Sequence, residues 1–153
     1  MEIHRMPGHL VRRLNQISTA LFMERMAAEG IPLTPVQFAA LNALSEHPGI
    51  DQATLAGLVA YDRATLGKVV DRLEERGVLR RTVSPTDRRA RVLELTEEGR
   101  SLYNAALPHV QAVQPQILGG LTEAEQARFV ALLEKATMAG NDLSRAPLRP
   151  LED

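Results

Sequence analysis

Apolar residues recur along the chain at three- and four-residue steps, broken at intervals by capping residues and glycines, which predicts a mainly helical fold. Over residues 9–29, Leu10, Leu14, Ile17 and Leu21 share one helical stripe, and Gly30 supplies a stop. Thr34-Pro35-Val36-Gln37 starts a second helix: Thr34 caps, Pro35 suits the first position, and Gln37 completes a capping box. It runs to about Glu46, before His47-Pro48-Gly49. Two segments then echo each other eleven residues apart, Asp51-Gln52-Ala53-Thr54-Leu55 and Asp62-Arg63-Ala64-Thr65-Leu66. Each Asp is placed to accept hydrogen bonds from the free N–H groups of a helix start. Two short helices so spaced make a helix-turn-helix candidate, an arrangement that many helical hairpins share without binding DNA.

In the second of these helices Leu66, Val69, Val70 and Leu73 form the core-facing stripe. Ala64, Lys68, Asp71 and Glu75 lie opposite, with Thr65 and Arg72 on one shoulder, and Gly77 ends the helix. The period then changes. Val78–Ser84 and Arg91–Leu95 have strand composition, and Pro85-Thr86-Asp87-Arg88-Arg89-Ala90 between them reads as a basic hairpin tip. Thr96 caps a further helix with Glu97 and Glu98 in its positive first turn. Tyr103, Ala106, Val110, Val113 and Ile117 form its seam, and Pro108 and Pro115 are expected to kink or divide it. Gly119-Gly120 breaks the chain, Thr122 and Glu125 make a second capping box, and the last helix carries Phe129, Val130, Leu132 and Leu133.

The expected fold is therefore mainly α with a small β-hairpin wing: a winged helix-turn-helix over residues 34–96. Residues 1–33 and 97–140 form a helical region whose apolar surfaces the small middle part does not cover, so a second copy of the chain is expected to cover them. The tail, 141–153, with Pro147 and Pro150, is expected to be poorly ordered. The 153 residues suit one domain with two layers.

Charge sharpens this picture. The net charge is −1, yet residues 60–91 hold nine of the 18 basic residues against five acidic ones, a local +4, and residues 92–153 carry −4. A basic middle between neutral and acidic flanks suggests a polyanion-facing surface, with an ordinary solvated face as the alternative. With no cysteine there is no disulfide, thiolate metal site or thiol switch. Five aromatic residues do not make a base-stacking platform. No apolar run approaches the length of a membrane span, and Met1-Glu2-Ile3-His4-Arg5 lacks a signal-peptide core, so a cytoplasmic location is expected.

The stretch SPTDRRARVLELTEEG, Ser84 to Gly99, resembles the wing signature of the MarR family of bacterial transcription regulators. The preceding DRATLGKVVDRLEERGVLRR, Asp62 to Arg81, resembles that family's recognition helix and first wing strand, and the likeness extends over about residues 9–139. The resemblance implies a homodimer whose terminal helices interlock and whose recognition helices, roughly 34 Å apart, enter successive major grooves of a pseudo-palindromic operator. It further implies wing arginines in the adjacent minor grooves, where narrow A·T-rich DNA concentrates negative potential. Of Arg88 and Arg89 the family pattern favours Arg89, with Asp87 orienting the wing arginines.

Base reading falls to Thr65 and Lys68, assisted by Arg63 and Arg72 through bases or phosphates. For each a plainer reading stands beside it. Arg72 can pair with Glu75 and Lys68 with Asp71, Arg63 can be a solvated first-turn residue, and Thr65 a helix-start residue. Many MarR-like proteins sense small anionic, often aromatic, ligands in a cleft between the dimer helices and the winged module. The resemblance points to His9, Arg12 and Arg13 of the first helix, Phe38 of the second and Tyr103 of the fifth, against the alternative that the arginines are solvated and the aromatics are core. The histidines, His4, His9, His47 and His109, show no helical ligand spacing, so no metal or other cofactor is expected. There is no phosphate loop, nucleophile elbow or paired-carboxylate constellation, so no enzyme is expected. The expected function is a DNA-binding transcriptional repressor released by a small effector. The alternative is a helical adaptor that kept the fold and lost DNA binding.

Overall fold

The computed structural model describes residues 2–151. Helix α1 spans Pro7–Glu29, with Pro7 in the first position and Gly30 at φ 67° closing it. Of the expected stripe of α1, Leu10 and Ile17 are about half exposed and Leu14 and Leu21 half-buried; the residues α1 buries are Phe22 and Met26, outside that stripe. Helix α2, Pro35–Glu46, begins in the expected capping box, with Thr34 Oγ1 accepting the Gln37 N–H and Gln37 Oε1 accepting the Thr34 N–H. It buries Ala40, Leu41, Ala43 and Leu44.

A two-residue strand β1, Ile50–Asp51, leads into α3, Gln52–Val59. Such a short strand leaves no period in the sequence. It is fixed by pairing with the wing, Ile50 opposite Leu93 and Asp51 opposite Val92. Ala60 then takes a left-handed conformation at φ 56° to make the tight turn into α4, Arg63–Glu75. Asp51 Oδ1 accepts the Thr54 N–H at 2.7 Å and Asp62 Oδ1 the Thr65 N–H at 2.8 Å, so both repeated aspartates are helix caps. Leu66, Val70 and Leu73 are buried, and Val69 is partly so. The wing consists of β2, Leu79–Val83, and β3, Arg91–Leu95, in a three-stranded antiparallel sheet of order β1-β3-β2.

Helix α5, Glu97–Ile117, is one continuous helix, so Pro108 and Pro115 do not divide it. Each proline withholds an N–H from the carbonyl four residues earlier. Those residues, Asn104 and Gln111, are exposed, a setting in which a carbonyl oxygen without an intrahelical donor costs little. Tyr103, Ala106, Val110 and Val113 are the buried seam of α5, and the lower part of α1 packs along it. Helix α6, Glu123–Ala139, has the second capping box and buries no residue fully in the single chain: Phe129 and Leu133 are half-buried, Val130 and Leu132 exposed.

The tail departs from expectation. A 3-10 turn, Asn141–Leu143, follows α6, and Asn141 holds Leu148 by two hydrogen bonds, donating to its carbonyl at 3.0 Å and accepting its N–H at 2.8 Å. Ala146 packs on the core and Pro147 lies against Gly57 of α3. The segment to Leu151 is thus docked rather than loose, because a glycine on α3 leaves room for its backbone. Glu152 and Asp153 lie outside the described residues.

Candidate nucleic-acid interface and effector cleft

Helix α4 packs its apolar stripe under α2 and α3 and presents Arg63, Thr65, Lys68 and Arg72 to solvent, as the sequence places them. Among the described residues neither the Arg72–Glu75 nor the Lys68–Asp71 ion pair forms. The acidic side of α4 is engaged elsewhere. Arg81 of β2 bonds Asp71 Oδ1 at 2.5 Å and Glu74 Oε1 at 3.0 Å, and its backbone N–H donates to Glu74 Oε2 at 3.1 Å. These hydrogen bonds lower the Glu74 carboxyl below the usual glutamate range and raise the Arg81 guanidinium. Two of the three carboxylates of α4 are thereby committed to the wing, leaving Lys68 and Arg72 exposed with Glu75 as the remaining acidic residue of the helix.

Arg80 and Arg76 are also structural. Arg80 pairs with Glu94, its cross-strand partner, at 2.9 Å, and Arg76 donates to the Pro32 carbonyl at 2.8 Å, tying the end of α4 to the start of α2. At the wing tip Asp87 Oδ1 accepts the Arg89 N–H at 2.9 Å, while Ser84 Oγ accepts the N–H groups of Thr86 and Asp87. Asp87 thus organises the backbone from which Arg88 and Arg89 project, both exposed and in no ion pair among the described residues. The sequence alone did not separate the basic residues that brace the wing from those left free. The register that sets Arg80 opposite Glu94 was the available signal for one of them.

The effector candidates are scattered in the single chain. A cleft of about 460 Å³ between α2, α3 and α5 is lined by Phe38, Asn42, Glu46, His47, Leu58, Leu107, Gln111 and Gln114 among others. Phe38 stacks on Tyr103 with ring centres 5.7 Å apart, and the Tyr103 hydroxyl, its pKa raised by burial, donates to Asn42 Oδ1 at 2.9 Å. Tyr103 therefore stands behind Phe38 in the core and does not itself line the cleft. His9, Arg12 and Arg13 do not line this cleft. His9 sits edge-on to His4, with its Nε2 buried and unpartnered in the single chain, and Arg12 and Arg13 are exposed on α1. The polar wall of Asn42, Glu46, His47, Gln111 and Gln114 was not anticipated. Gln111 and Gln114, each one residue past a member of the apolar seam (Val110 and Val113), were the signal for it.

Residues 33–90, from the turn before α2 to the tip of the wing, match the MarR family model. The transcriptional regulator HosA of Escherichia coli is 35% identical over 127 residues, 83% of this chain and 91% of that protein. The chain belongs to the MarR family. Outside the winged module the likeness persists in three dimensions. The PcaV transcriptional regulator of Streptomyces coelicolor, in complex with its natural ligand, superposes with a TM-score of 0.81 at 35% identity, covering 92% of this chain and 97% of that one. BpsR of Bordetella bronchiseptica, whose DNA binding is regulated by 6-hydroxynicotinic acid, gives 0.83 at 31% identity, covering 90% and 96%. This MarR-family chain is a DNA-binding transcription regulator that works as a homodimer. In the single chain, Leu10, Val11 and Ile17 of α1 and Val130 and Leu132 of α6 are exposed apolar residues. Among the described residues no helix is long and apolar enough to cross a membrane, and no three His, Asp or Glu side chains group as a metal site.

Proposed function

We propose that the homodimer is a repressor that grips a pseudo-palindromic operator, with Thr65 and Lys68 reading bases in the major groove. Arg63 and Arg72 assist on bases or phosphates, and Arg89, supported by Asp87 and flanked by Arg88, enters the minor groove. The observation that carries this reading is the commitment of Asp71 and Glu74 to Arg81. It leaves one face of α4 and the neighbouring hairpin tip with exposed cationic side chains. Those charges favour DNA binding over the adaptor alternative, and family grounds favour a binding protein rather than an enzyme, working in the cytoplasm. The division at residues 34–96 follows the same logic: the winged module reads, and residues 1–33 and 97–140 pair the copies.

Release is assigned to a small anionic, aromatic molecule, the kind of effector named for BpsR. Phe38, backed by Tyr103, offers an aromatic wall. Glu46 is the charged side chain of the cleft with the wrong sign for such a ligand, so a cation must come from elsewhere. Arg12 and Arg13, on the α1 surface that a second copy covers, supply it, and His9 completes the cluster. A ligand favouring a different separation of the recognition helices weakens DNA binding by population shift.

The test is a selection of bound duplex from a random pool, followed by titration of that duplex with wild type and Arg89→Ala. Loss of a minor-groove arginine is expected to cost about 1–3 kcal/mol per contact, roughly fivefold to more than a hundredfold in affinity. Unchanged affinity would remove the wing from the interface.

A further inference from the structure

The segment after α6 lies along α3, and three points fix its course. The Pro147 carbonyl oxygen sits where a Cβ on Gly57 would stand only 2.6 Å away. Arg145 precedes that contact and its charge is a minor contribution to the lowered pKa of Asp62, the cap of α4; Arg149 follows it and contributes likewise to the lowered pKa of Asp51, the cap of α3. The strap therefore runs antiparallel to α3, from the α3–α4 turn back to the start of α3. The two Asn141–Leu148 hydrogen bonds and the packing of Ala146 on the core hold it there.

The helix ends reached by the two arginines are the ones a helix-turn-helix turns toward a duplex. The recognition helix enters the groove with its N-terminal residues, and the first helix crosses the backbone. Each end carries a capping carboxylate, which opposes a phosphate where the approach is closest. The N–H of Thr65 chiefly, with Arg145 adding to it, holds the Asp62 carboxyl below the usual aspartate range, so this carboxyl is ionised near neutral pH. Arg145 and Arg149 are exposed and in no ion pair within 4.0 Å among the described residues, so their guanidinium groups are available beside those carboxylates.

We propose that the C-terminal strap is part of the DNA-binding surface, with Arg145 and Arg149 contacting the phosphate backbone that flanks the groove entered by α4. The inference rests on the DNA-reading role given to α4 above. The strap makes no base contact, so it adds affinity and salt dependence and leaves sequence preference unchanged.

The experiment compares full-length wild type, the double variant Arg145→Gln/Arg149→Gln and Gly57→Ala. Each is titrated on the selected operator and on a random duplex of equal length over a range of KCl concentrations. Each phosphate contact contributes about 0.9 to the slope of log K against log salt, so the double variant is expected to lose up to about 3.6 in a two-chain complex. Its ratio of operator to random-duplex affinity should be unchanged. Gly57→Ala, which displaces the strap while keeping both arginines, should lose slope in the same direction. A double variant that retains the wild-type slope overturns the proposal, whatever Gly57→Ala does. Wild type that binds no duplex at all overturns the function assigned to α4 instead, so the two failures are distinct.

Discussion

Gly99 stands where the winged module meets the long dimer helix, and replacing it tests the packing of that junction. It is the third residue of α5, and its N–H bonds to the capping Thr96 Oγ1 at 3.0 Å. A Cβ at this position would lie 1.8 Å from the carbonyl oxygen of Val78 and 2.8 Å from its carbonyl carbon. Ordinary contact begins near 3.4 Å, so α5 and the start of the wing must separate by about 1.6 Å. The obstacle is backbone, which cannot swing aside as a side chain can. The same carbonyl accepts the Thr96 N–H at 3.2 Å, and Thr96 Oγ1 donates to the Gly77 carbonyl at 2.6 Å, so the separation strains both bonds.

Losing them costs about 0.5–1.5 kcal/mol each. Overpacking adds about 1–3 kcal/mol, and the better helix propensity of alanine returns at most about 1 kcal/mol. Gly99→Ala is therefore expected to destabilise the protein by about 1–5 kcal/mol, a fall of roughly 2–20 °C in Tm for a chain of this size. The assay is a thermal melt by circular dichroism at one fixed protein concentration, since a dimer's Tm depends on concentration. Gly8→Ala is the control: a Cβ there meets nothing within 4 Å, and its Tm should not fall. At a temperature where the variant remains folded, its operator affinity should also fall, because the wing is hung from the displaced residue. A Gly99→Ala protein that melts with wild type would refute the account of this junction.

Two further outcomes follow from the ion pairs and the apolar face. Arg81→Met removes the brace between β2 and α4 and should cost up to about 1 kcal/mol at neutral pH, discounted for the exposure of Asp71 and Glu74. Because Arg81 lowers the Glu74 pKa, its stabilisation is fully present above the ordinary glutamate range and is lost as pH falls through the lowered value. Urea unfolding should thus show the gap between wild type and variant closing as pH falls below the ordinary glutamate range; a gap that persists once the carboxyls are protonated contradicts the pairing. Val11→Glu, on a residue 55% exposed and lining the apolar groove between α1, α5 and α6, places a charge in the layer proposed to pair the copies. Sedimentation should show a dimer dissociation constant raised more than about a hundredfold, with operator affinity lost in parallel. A variant that remains a dimer would remove Val11 from that layer.

What the sequence made legible is what short-range chemistry encodes. Thr34 with Gln37, Asp51, Asp62, Thr96, and Thr122 with Glu125 each satisfy N–H groups three residues away, so their roles are readable without knowing the rest of the fold. The stripe Leu66, Val70 and Leu73 is equally local. The basic tip of the wing was readable too, because Asp87 acts on the backbone two residues on. Pairings between distant segments were not. Nothing near Arg81 says that its partners are Asp71 and Glu74 rather than a phosphate. Nothing near Gly57 says that Pro147 will lie on it.

The same division explains why the effector residues were the least legible. Phe38 and Tyr103 sit on different helices and meet because α2 and α5 pack together, so their stack is a product of the single chain's core. Arg12 and Arg13 belong to the exposed half of α1, where the neighbouring positions Leu10, Val11 and Ile17 remain about half exposed. Leaving that much apolar surface in water costs about 25 cal/mol per Å² that burial would recover, a strong drive toward a second copy. On the effector site proposed above, Arg12 and Arg13 acquire their final surroundings only with association. A cleft completed in that way would tie ligand binding to the relative position of the two copies. The same relative position sets the spacing of the two α4 helices on a duplex, so one geometric variable serves both ligands.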